Sequence, residues 1–402
     1  MERFTARALS ISTPHQARTE LERIGADPTG VAMMAGKMFT RCLRVNSLQC
    51  RQANILKQEM LALGGDAAVA RGTVACSIKS TDVILIGTDK QLLQLSEKLK
   101  AQPFGLPALA AVLAGLLTDI VRLPGRWITS RREFLLKRPL IMGILNLTPD
   151  SFSDGGLFNN PDCGFEHALM MEAEGADIID IGGESTRPGA RQISADEELG
   201  RIMPVIERLA GRLRCAISVD TWKSGVARAA ISAGAEIIND ISGFSFDPQM
   251  AAVAAECGAA AVLMHTRGRP DVMQRDTGYV DLMSGITEEL QNSVSRALEA
   301  GIARDRIAID PGIGFGKSAS GNLEILRRLG ELKSLGLPIL IGTSRKSFIG
   351  KILGQASASE RIYGTVATVA LCVANGASIL RVHDVRAMRE AADMAQAVCI
   401  TE

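Results

Sequence analysis

The chain contains few of the residues from which metal and redox sites are built. Only four histidines occur among its 402 residues, and they are dispersed, which argues against a histidine-built catalytic metal centre. The eight cysteines include no CxxC pair and no metal-ligand spacing, so we expect neither a zinc site nor a disulfide framework. Scattered cysteines of this kind are typical of a reducing cytosol, and we therefore predict a cytoplasmic protein.

Two further absences narrow the class of protein. A formal net charge of +1 provides no electrostatic footprint for nucleic acid. The most apolar stretch, residues 106–117, is too short to span a bilayer, and the N-terminus has no apolar run of the signal-peptide kind. We therefore expect a soluble protein that binds neither membranes nor nucleic acid. With 47% hydrophobic residues, the chain can bury a large core.

Short apolar runs alternate with amphipathic stretches from about residue 140 onward, which is the pattern of repeated βα units. Eight runs read as strands, each followed by enough chain for a crossover helix: PLIMGIL, DIIDIG, CAISV, EIIN, AAVLM, RIAID, LPILIG and SILRV. Eight parallel strands within roughly 250 residues predict a closed (β/α)8 TIM barrel. We place this α/β barrel over residues 138–402.

Residues 1–130 lack that alternation and indicate a small α+β domain. RCLRV, AAVARGTVAC and DVILIG read as strands, interspersed with two amphipathic helical stretches. Few polar residues stand at the ends of these strands, so we expect a structural or assembly role rather than a catalytic one.

Polar residues follow the barrel strands abruptly, at the strand ends where barrel enzymes carry their active sites. The residues that would end strands three, four, six and seven are Asp220, Asn239, Asp310 and Lys346. Two carboxylates, an amide and an ammonium around one barrel mouth are complementary to the edge of an aminopyrimidine-type heterocycle. The alternative for Asp220 and Asp310 is that each caps the helix that follows it.

A second, cationic group stands at the ends of strands two and eight. Arg187, Arg381 and His383 predict an anion pocket. Guanidinium groups match phosphate oxygens, and a histidine can add a hydrogen bond or a proton as charge builds on a leaving group. The alternative for Arg381 is a surface ion pair with Asp384.

The loop after the first barrel strand carries hard oxygen ligands. Asn146, Asp150 and Asp154 would suit Mg²⁺ held largely by substrate phosphate and water. None of these residues demands a metal by itself.

The run DPGIGFGK resembles a phosphate-binding glycine loop but lacks the Walker spacing. Its glycines are better explained as allowing tight backbone turns that place Phe315 and Lys317 at the rim of the site. The alternative for Phe315 is packing against its own helix.

Seven motifs occur in order along the predicted barrel: NLTPDSFSDGG, GGESTRPGA, SVDTW, INDISG, DPGIGFGK, GTSRKSFIG and RVHDV. Over about residues 140–397 this series resembles the dihydropteroate synthases of folate biosynthesis. The resemblance implies condensation of 6-hydroxymethyl-7,8-dihydropterin pyrophosphate with 4-aminobenzoate, giving 7,8-dihydropteroate and pyrophosphate in an SN1-like reaction assisted by Mg²⁺. It also implies a homodimer, but it says nothing about residues 1–130.

The resemblance also assigns roles to individual residues. The implied pterin-binding residues are Asp220, Asn239, Met264, Asp310 and Lys346. The implied pyrophosphate-binding residues are Asn146, which would also be the Mg²⁺ ligand, Arg187, Arg381 and His383. The implied aminobenzoate-binding residues are Thr186, Arg187, Pro188, Phe315 and Ser347. The implied catalytic residues are Asp154, Arg187, Asp220, Asp310 and Lys346.

Three other functions fit parts of the pattern. A pterin-binding methyltransferase acting with a corrinoid partner would share the heterocycle-reading residues, but it should not need a cationic pocket for a leaving group. An aldolase would use Lys346 as a Schiff-base lysine. This interpretation is less economical, because it leaves the neighbouring Arg345 and the carboxylates that suit a pterin without a role. A scaffold that binds pterin without turnover is the non-enzymatic alternative, and the intact charged residues argue against it.

Overall fold

The computed structural model describes residues 4–11, 13–121, 124–148, 161–187, 189–355 and 357–399. The chain divides into two compact units, Met1–Val121 and Arg122–Glu402. No helix among these residues is both long and apolar enough to cross a membrane.

The first unit has the α+β composition that the sequence predicts. Its helices are α1 (Pro14–Arg23), α2 (Pro28–Met34), α3 (Cys50–Ala62), α4 (Asp89–Leu99) and α5 (Leu106–Val121). Its strands are β1 (Arg41–Gln49), β2 (Asp66–Val69) and β3 (Ser80–Gly87), which form an antiparallel sheet in the order β1-β3-β2. Alternate residues of β3, including Val83 and Leu85, are buried in a core with leucines of α4 and α5.

The predicted strand AAVARGTVAC is shorter than expected, because β2 ends at Val69. The Thr73 hydroxyl donates to the Ala70 carbonyl at 2.7 Å, and Gly72 lies within this turn at a φ of +93°. A side chain that bonds its own backbone competes with strand pairing, so the chain turns here.

The second unit begins with a hairpin of β4 (Arg126–Ile128) and β5 (Glu133–Leu135). Trp127 on β4 is fully buried among the first residues of the barrel strands, such as Leu140 and Ile178. The hairpin therefore closes the end of the barrel where the strands begin. That leaves the opposite end, at the carboxyl ends of the strands, for a site.

The predicted TIM barrel is confirmed. Its strands are β6 (Leu140–Asn146), β7 (Ile178–Gly182), β8 (Ala216–Asp220), β9 (Ile237–Asp240), β10 (Ala260–Met264), β11 (Ile307–Asp310), β12 (Leu340–Ile341) and β13 (Ile379–Val382). They pair in parallel in the order β11-β10-β9-β8-β7-β6-β13-β12, and a bridge between Ile309 and Ile339 closes the circle.

Helices follow the strands on the outside of this barrel. They are α6 (Pro161–Ala173), α7 (Ala195–Leu209), α8 (Ser224–Ala233), α9 (Met250–Glu256), α10 (Leu282–Glu299), α11 (Ala319–Arg328), α12 (Ser347–Leu353), α13 (Ile362–Ala374) and α14 (Val385–Cys399). The strands are buried on both faces, which explains why they read as continuous apolar runs.

Candidate active site

A cavity of about 880 Å³ lies at the carboxyl ends of the barrel strands. Its lining includes residues from every predicted group: Asn146, Thr186, Arg187, Asp220, Phe315, Lys346, Ser347, Arg381 and His383. The structure therefore brings Asp220 and Lys346 of the heterocycle-reading group into one cavity with the cationic residues.

Three predicted residues lie deeper, at the ends of neighbouring strands. Asn239, Met264 and Asp310 are 5%, 5% and 6% exposed, on β9, β10 and β11. Met264 is paired with Asp310 in register, which fixes their spacing. Asp154, Pro188 and the loop carboxylate Asp150 lie outside the described residues.

Arg381 is the centre of the charged network. Its Nε donates to Asp180 Oδ2 and its Nη2 donates to Asp220 Oδ2, both at 2.6 Å. Asn239 Nδ2 donates to the same Asp180 oxygen at 3.0 Å. The guanidinium predicted to hold pyrophosphate is thus bonded to the carboxylates of the heterocycle-reading group, so the two groups form one network.

Burial shifts the acids and the ammonium of this network toward neutral forms. It raises the pKa of Asp220 to about 7, with Arg381 opposing the shift and Asp180 adding to it. Burial likewise raises the pKa of Asp310 to about 6, where the Gly312 backbone and Lys346 oppose it. Burial lowers the pKa of Lys346 to about 8, helped by Arg381. These groups therefore change charge near neutral pH, where a ligand can decide their protonation.

Neither carboxylate caps a helix, so that alternative is wrong. Helix α8 begins after Lys223, which makes no side-chain cap bond, and Ser318 caps α11. Asp310 instead accepts from the Gly312 backbone at 2.7 Å, and Asp220 accepts from Arg381.

The ion pair proposed as an alternative for Arg381 is also wrong. Asp384 accepts two bonds from Arg345, at 2.7 and 3.1 Å, and Arg381 makes the contacts described above. The His383 ring Nδ1 lies 3.0 Å from Ser344 Oγ. Burial and the neighbouring Arg345 and Arg381 hold the pKa of His383 well below its ordinary value, so the ring is neutral at neutral pH.

The glycine loop differs in one respect from the prediction. Phe315 faces the cavity, with its ring centroid 4.5 Å from Lys346 Nζ. Lys317 is not at the rim, because only 3% of it is exposed and its Nζ lies 2.9 Å from His265 Nδ1. A buried ammonium needs several acceptors, and His265 and the Phe315 carbonyl provide them.

Sequence reasoning missed Asp180 and Glu184. Asp180 stands inside the apolar run DIIDIG, where the only available signal was a lone carboxylate in a buried strand. Glu184 accepts from Trp222 Nε1 at 2.8 Å and lies 3.1 Å from Lys223 Nζ. Both residues bond to neighbouring side chains and neither is the last residue of a strand. A search for polar residues at strand ends therefore did not find them.

The closed barrel and its charged cavity define a (β/α)8 barrel enzyme. A family model described as a pterin binding enzyme matches residues 142–383. The dihydropteroate synthase of Synechocystis sp. is 50% identical over 262 residues, which cover 65% of this chain and 91% of that protein. The solved Yersinia pestis dihydropteroate synthase in a sulfonamide drug complex has 44% identity and a TM-score of 0.66, covering 68% of this chain and 98% of that one.

The chain therefore belongs to the pterin-binding enzymes and, within them, to the dihydropteroate synthases. The resemblance read from the seven motifs is confirmed, and the relatives support the synthase rather than the methyltransferase or scaffold alternatives.

Some relatives also align beyond the barrel. A probable bifunctional folylpolyglutamate synthase/dihydropteroate synthase of Halobacterium salinarum is 43% identical over 369 residues. That alignment covers 92% of this chain but 44% of that protein, so the chain spans less than half of this relative.

Proposed function

We propose that this cavity condenses 6-hydroxymethyl-7,8-dihydropterin pyrophosphate with 4-aminobenzoate, with the residue roles set out below. The observation that carries the proposal is the network around Arg381, which joins acids suited to a heterocycle with cations suited to a diphosphate in one cavity. Solved structures of the Xanthomonas albilineans enzyme with 4-aminobenzoic acid and with 7,8-dihydropteroate support the choice of ligands.

The acidic end of the network suits the pterin ring. Asp220, ionised, would accept two hydrogen bonds from a ring N–H and an exocyclic amine, while Asn239 and Lys346 address carbonyl or ring nitrogen atoms. Asp310 adds a second negative charge beside Lys346, whose charge acts on its pKa. Ligand donors would compensate these buried charges, which are otherwise costly.

The chemistry would proceed by departure of pyrophosphate before the amine attacks. Asp220 and Asp310 stabilise positive charge spread over the electron-rich ring, since they are fixed in place before the reaction. The negative charge that develops on the leaving group is stabilised by hydrogen bonds from Arg187, Arg381 and His383. The aniline nitrogen of 4-aminobenzoate then forms the bond to the methylene carbon and loses its proton to pyrophosphate or solvent. No covalent nucleophile is needed.

The aminobenzoate would lie at the outer part of the cavity. Thr186 and Arg187 on the second loop line it together with Ser347 at the start of α12. Phe315 offers an aromatic face to the benzoate ring. Arg187 and the Ser347 hydroxyl are suited to its carboxylate.

Mg²⁺ fits the donors present at the base of the cavity. The described residues contain no group of three or more histidine, cysteine or acidic side chains that could hold a metal, so the protein would supply few ligands. Asn146 Oδ1 would be one of these, near Asp220, because Asn146 and Asp220 each pair in register with Gly182 on the strand between them. Diphosphate and water would complete the shell, as Mg²⁺ prefers. Bound there, the ion would stabilise charge on the departing pyrophosphate.

We further propose a cytoplasmic homodimer. Apolar side chains are exposed on the last two helices, including Leu371 on α13 at 58% and Met394 on α14 at 66%, as an interface would require. The cysteines are all free, which suits a reducing compartment. For residues 1–130 we propose a structural or assembly role.

The test is pyrophosphate release by the purified full chain with the pterin pyrophosphate and Mg²⁺, with and without 4-aminobenzoate. We expect release that depends on aminobenzoate and is lost in Asp220→Asn. The matched control is Asp305→Asn, which removes a carboxylate of a surface ion pair with Arg126 and should leave the rate unchanged. Tight pterin binding without any release by the unaltered chain would contradict the proposal.

A further inference from the structure

The backbone of the loop that carries Phe315 is tightly constrained. Gly312, Gly314 and Gly316 have φ values of +70°, +85° and +61°, a region that other residues rarely adopt. A Cβ on Gly312 would lie 2.0 Å from the His265 backbone oxygen, so the loop runs directly against strand β10's end. Hydrogen bonds to its backbone hold this shape, for example the bond that the Gly314 N–H donates to Asn322 Oδ1 at 2.7 Å.

Lys317 supplies one of these bonds from a buried position. Its Nζ donates to the Phe315 carbonyl oxygen at 2.8 Å and contacts His265 twice, at Nδ1 (2.9 Å) and at the backbone oxygen (3.4 Å). An ammonium has three hydrogens to donate, and these three acceptors match them in number. Lys317 is thus a cross-link between the glycine loop and the end of β10.

His265 connects this ammonium to a carboxylate on helix α10. Its ring Nε2 lies 3.2 Å from Glu289 Oε2, while Nδ1 faces Lys317. Burial, with the charge of Lys317, lowers the pKa of His265, and the contact with His265 lowers the pKa of Glu289. A neutral ring therefore accepts from Lys317 at Nδ1, while its Nε2 faces the Glu289 carboxylate.

The cross-link fixes the position of the Phe315 ring. The carbonyl that Lys317 holds belongs to Phe315 itself, and the ring of that residue lies 4.5 Å from Lys346 Nζ in the cavity. The Cβ position of Gly314 is 3.3 Å from Lys346 Cδ, so a small shift of the loop would change this contact. Loss of the bond would therefore move the aromatic wall of the cavity.

We propose that Lys317 is a positioning residue for the second substrate: by linking the Phe315 carbonyl to His265, it sets the affinity for 4-aminobenzoate. The inference rests on the proposed function, in which Phe315 forms the aromatic wall of the aminobenzoate site. Asp220 and Asn239 are held by contacts that do not involve Lys317, and Lys317 acts on Asp310 through its charge alone, so the affinity for pterin should change much less than the affinity for 4-aminobenzoate.

The first test is Lys317→Met, which keeps an unbranched buried side chain and removes the three donors. We expect the KM for 4-aminobenzoate to rise about tenfold or more, with kcat and the KM for the pterin pyrophosphate within about threefold of the unaltered chain, because uniform binding is what is lost. The matched control is Arg389→Met, which removes a buried cation bonded to the Pro139 carbonyl at 3.0 Å, where the barrel strands begin. It should lower thermal stability without changing either KM.

The second test is Glu289→Gln on a partly exposed residue, which should fold even if Lys317→Met does not. Burial lowers the pKa of Lys317 to about 7, while Asp310 and Glu289 raise it and Lys346 lowers it. Removing the Glu289 charge lowers that pKa further. The pH above which the KM for aminobenzoate rises should therefore move to lower pH, while the pH profile of the pterin KM stays in place.

The outcomes separate the two proposals. An unaltered chain that releases no pyrophosphate in response to aminobenzoate would overturn the proposed function. An active unaltered chain whose Lys317→Met variant raises both KM values equally, or raises neither, would overturn the role of Lys317 alone. An unshifted aminobenzoate profile in Glu289→Gln would also overturn it.

Discussion

Asp180→Asn is the change that most directly tests the charged network. Asp180 is fully buried and accepts from Arg381 at 2.6 Å and from Asn239 at 3.0 Å. Asparagine has nearly the same shape, so the variant removes a charge without leaving a cavity. Breaking a buried pair costs about 3–5 kcal/mol when the remaining charge is left alone. Arg381 keeps Asp220 as a partner, however, so the loss should approach that of one charge-assisted hydrogen bond, about 2 kcal/mol.

This loss can be converted into a melting temperature. The barrel unit, Arg122–Glu402, contains 402 − 122 + 1 = 281 residues. At about 2.1 cal/mol/K per residue, its unfolding entropy is about 0.6 kcal/mol/K, so a loss of 2 kcal/mol lowers the Tm by about 3–4 °C. Thermal unfolding followed by fluorescence would measure the shift.

The same variant has a signature in the pH profile. The charge of Asp180 contributes to raising the pKa of Asp220 to about 7, in addition to burial. Removing that charge lowers the pKa of Asp220, so Asp220 stays ionised to lower pH. The acid limb of kcat/KM for the pterin pyrophosphate should move to lower pH.

Asp177→Asn is the matched control, because Asp177 pairs with Arg389 where the strands begin. It should lower the Tm without moving the acid limb. If Asp180→Asn lowers the Tm but leaves the acid limb in place, Asp180 is only structural and the electrostatic argument for the network is refuted.

Three further predictions concern other parts of the barrel. Gly312→Ala should abolish turnover and lower the Tm, because the new methyl group would lie 2.0 Å from the His265 backbone oxygen; near-normal turnover in a steady-state assay would contradict this. Trp127→Ala should cost about 3–5 kcal/mol in denaturant unfolding, as for other buried tryptophans, yet leave kcat/KM unchanged because Trp127 lies at the opposite end of the barrel. Pterin affinity measured by calorimetry should be greatest between about pH 7 and 8, because Asp220, with a pKa of about 7, is protonated below that range and Lys346, with a pKa of about 8, loses its proton above it; a flat profile would contradict the assignment.

The barrel was predictable because its strands are buried on both faces. A run such as AAVLM has no polar alternation, and it forms β10 with every residue buried. The hairpin at residues 126–135 was harder to assign to the barrel. Its strands have three residues each, too few for a periodic signal, and Trp127 belongs to the barrel core only through contacts with residues distant in sequence.

The site was predictable to the extent that it stands at strand ends. Asn146 and Asp220 are the last residues of β6 and β8, and both line the cavity. The partners of these groups were not predictable in the same way. From the sequence, an ion pair with the nearby Asp384 was the alternative for Arg381. Its partners in the structure are instead 161 and 201 residues away.

The sequence by itself determined which residues meet at the barrel mouth, because parallel strands of similar length bring all their carboxyl ends to one side. Only the tertiary structure decided which charges pair there. Strand β13 lies beside β6, and β6 beside β7, so the guanidinium of Arg381 reaches across the barrel end to Asp180. The tertiary structure likewise decided that Lys317 is buried against His265, because the energy of an ammonium depends on acceptors supplied by other strands and helices.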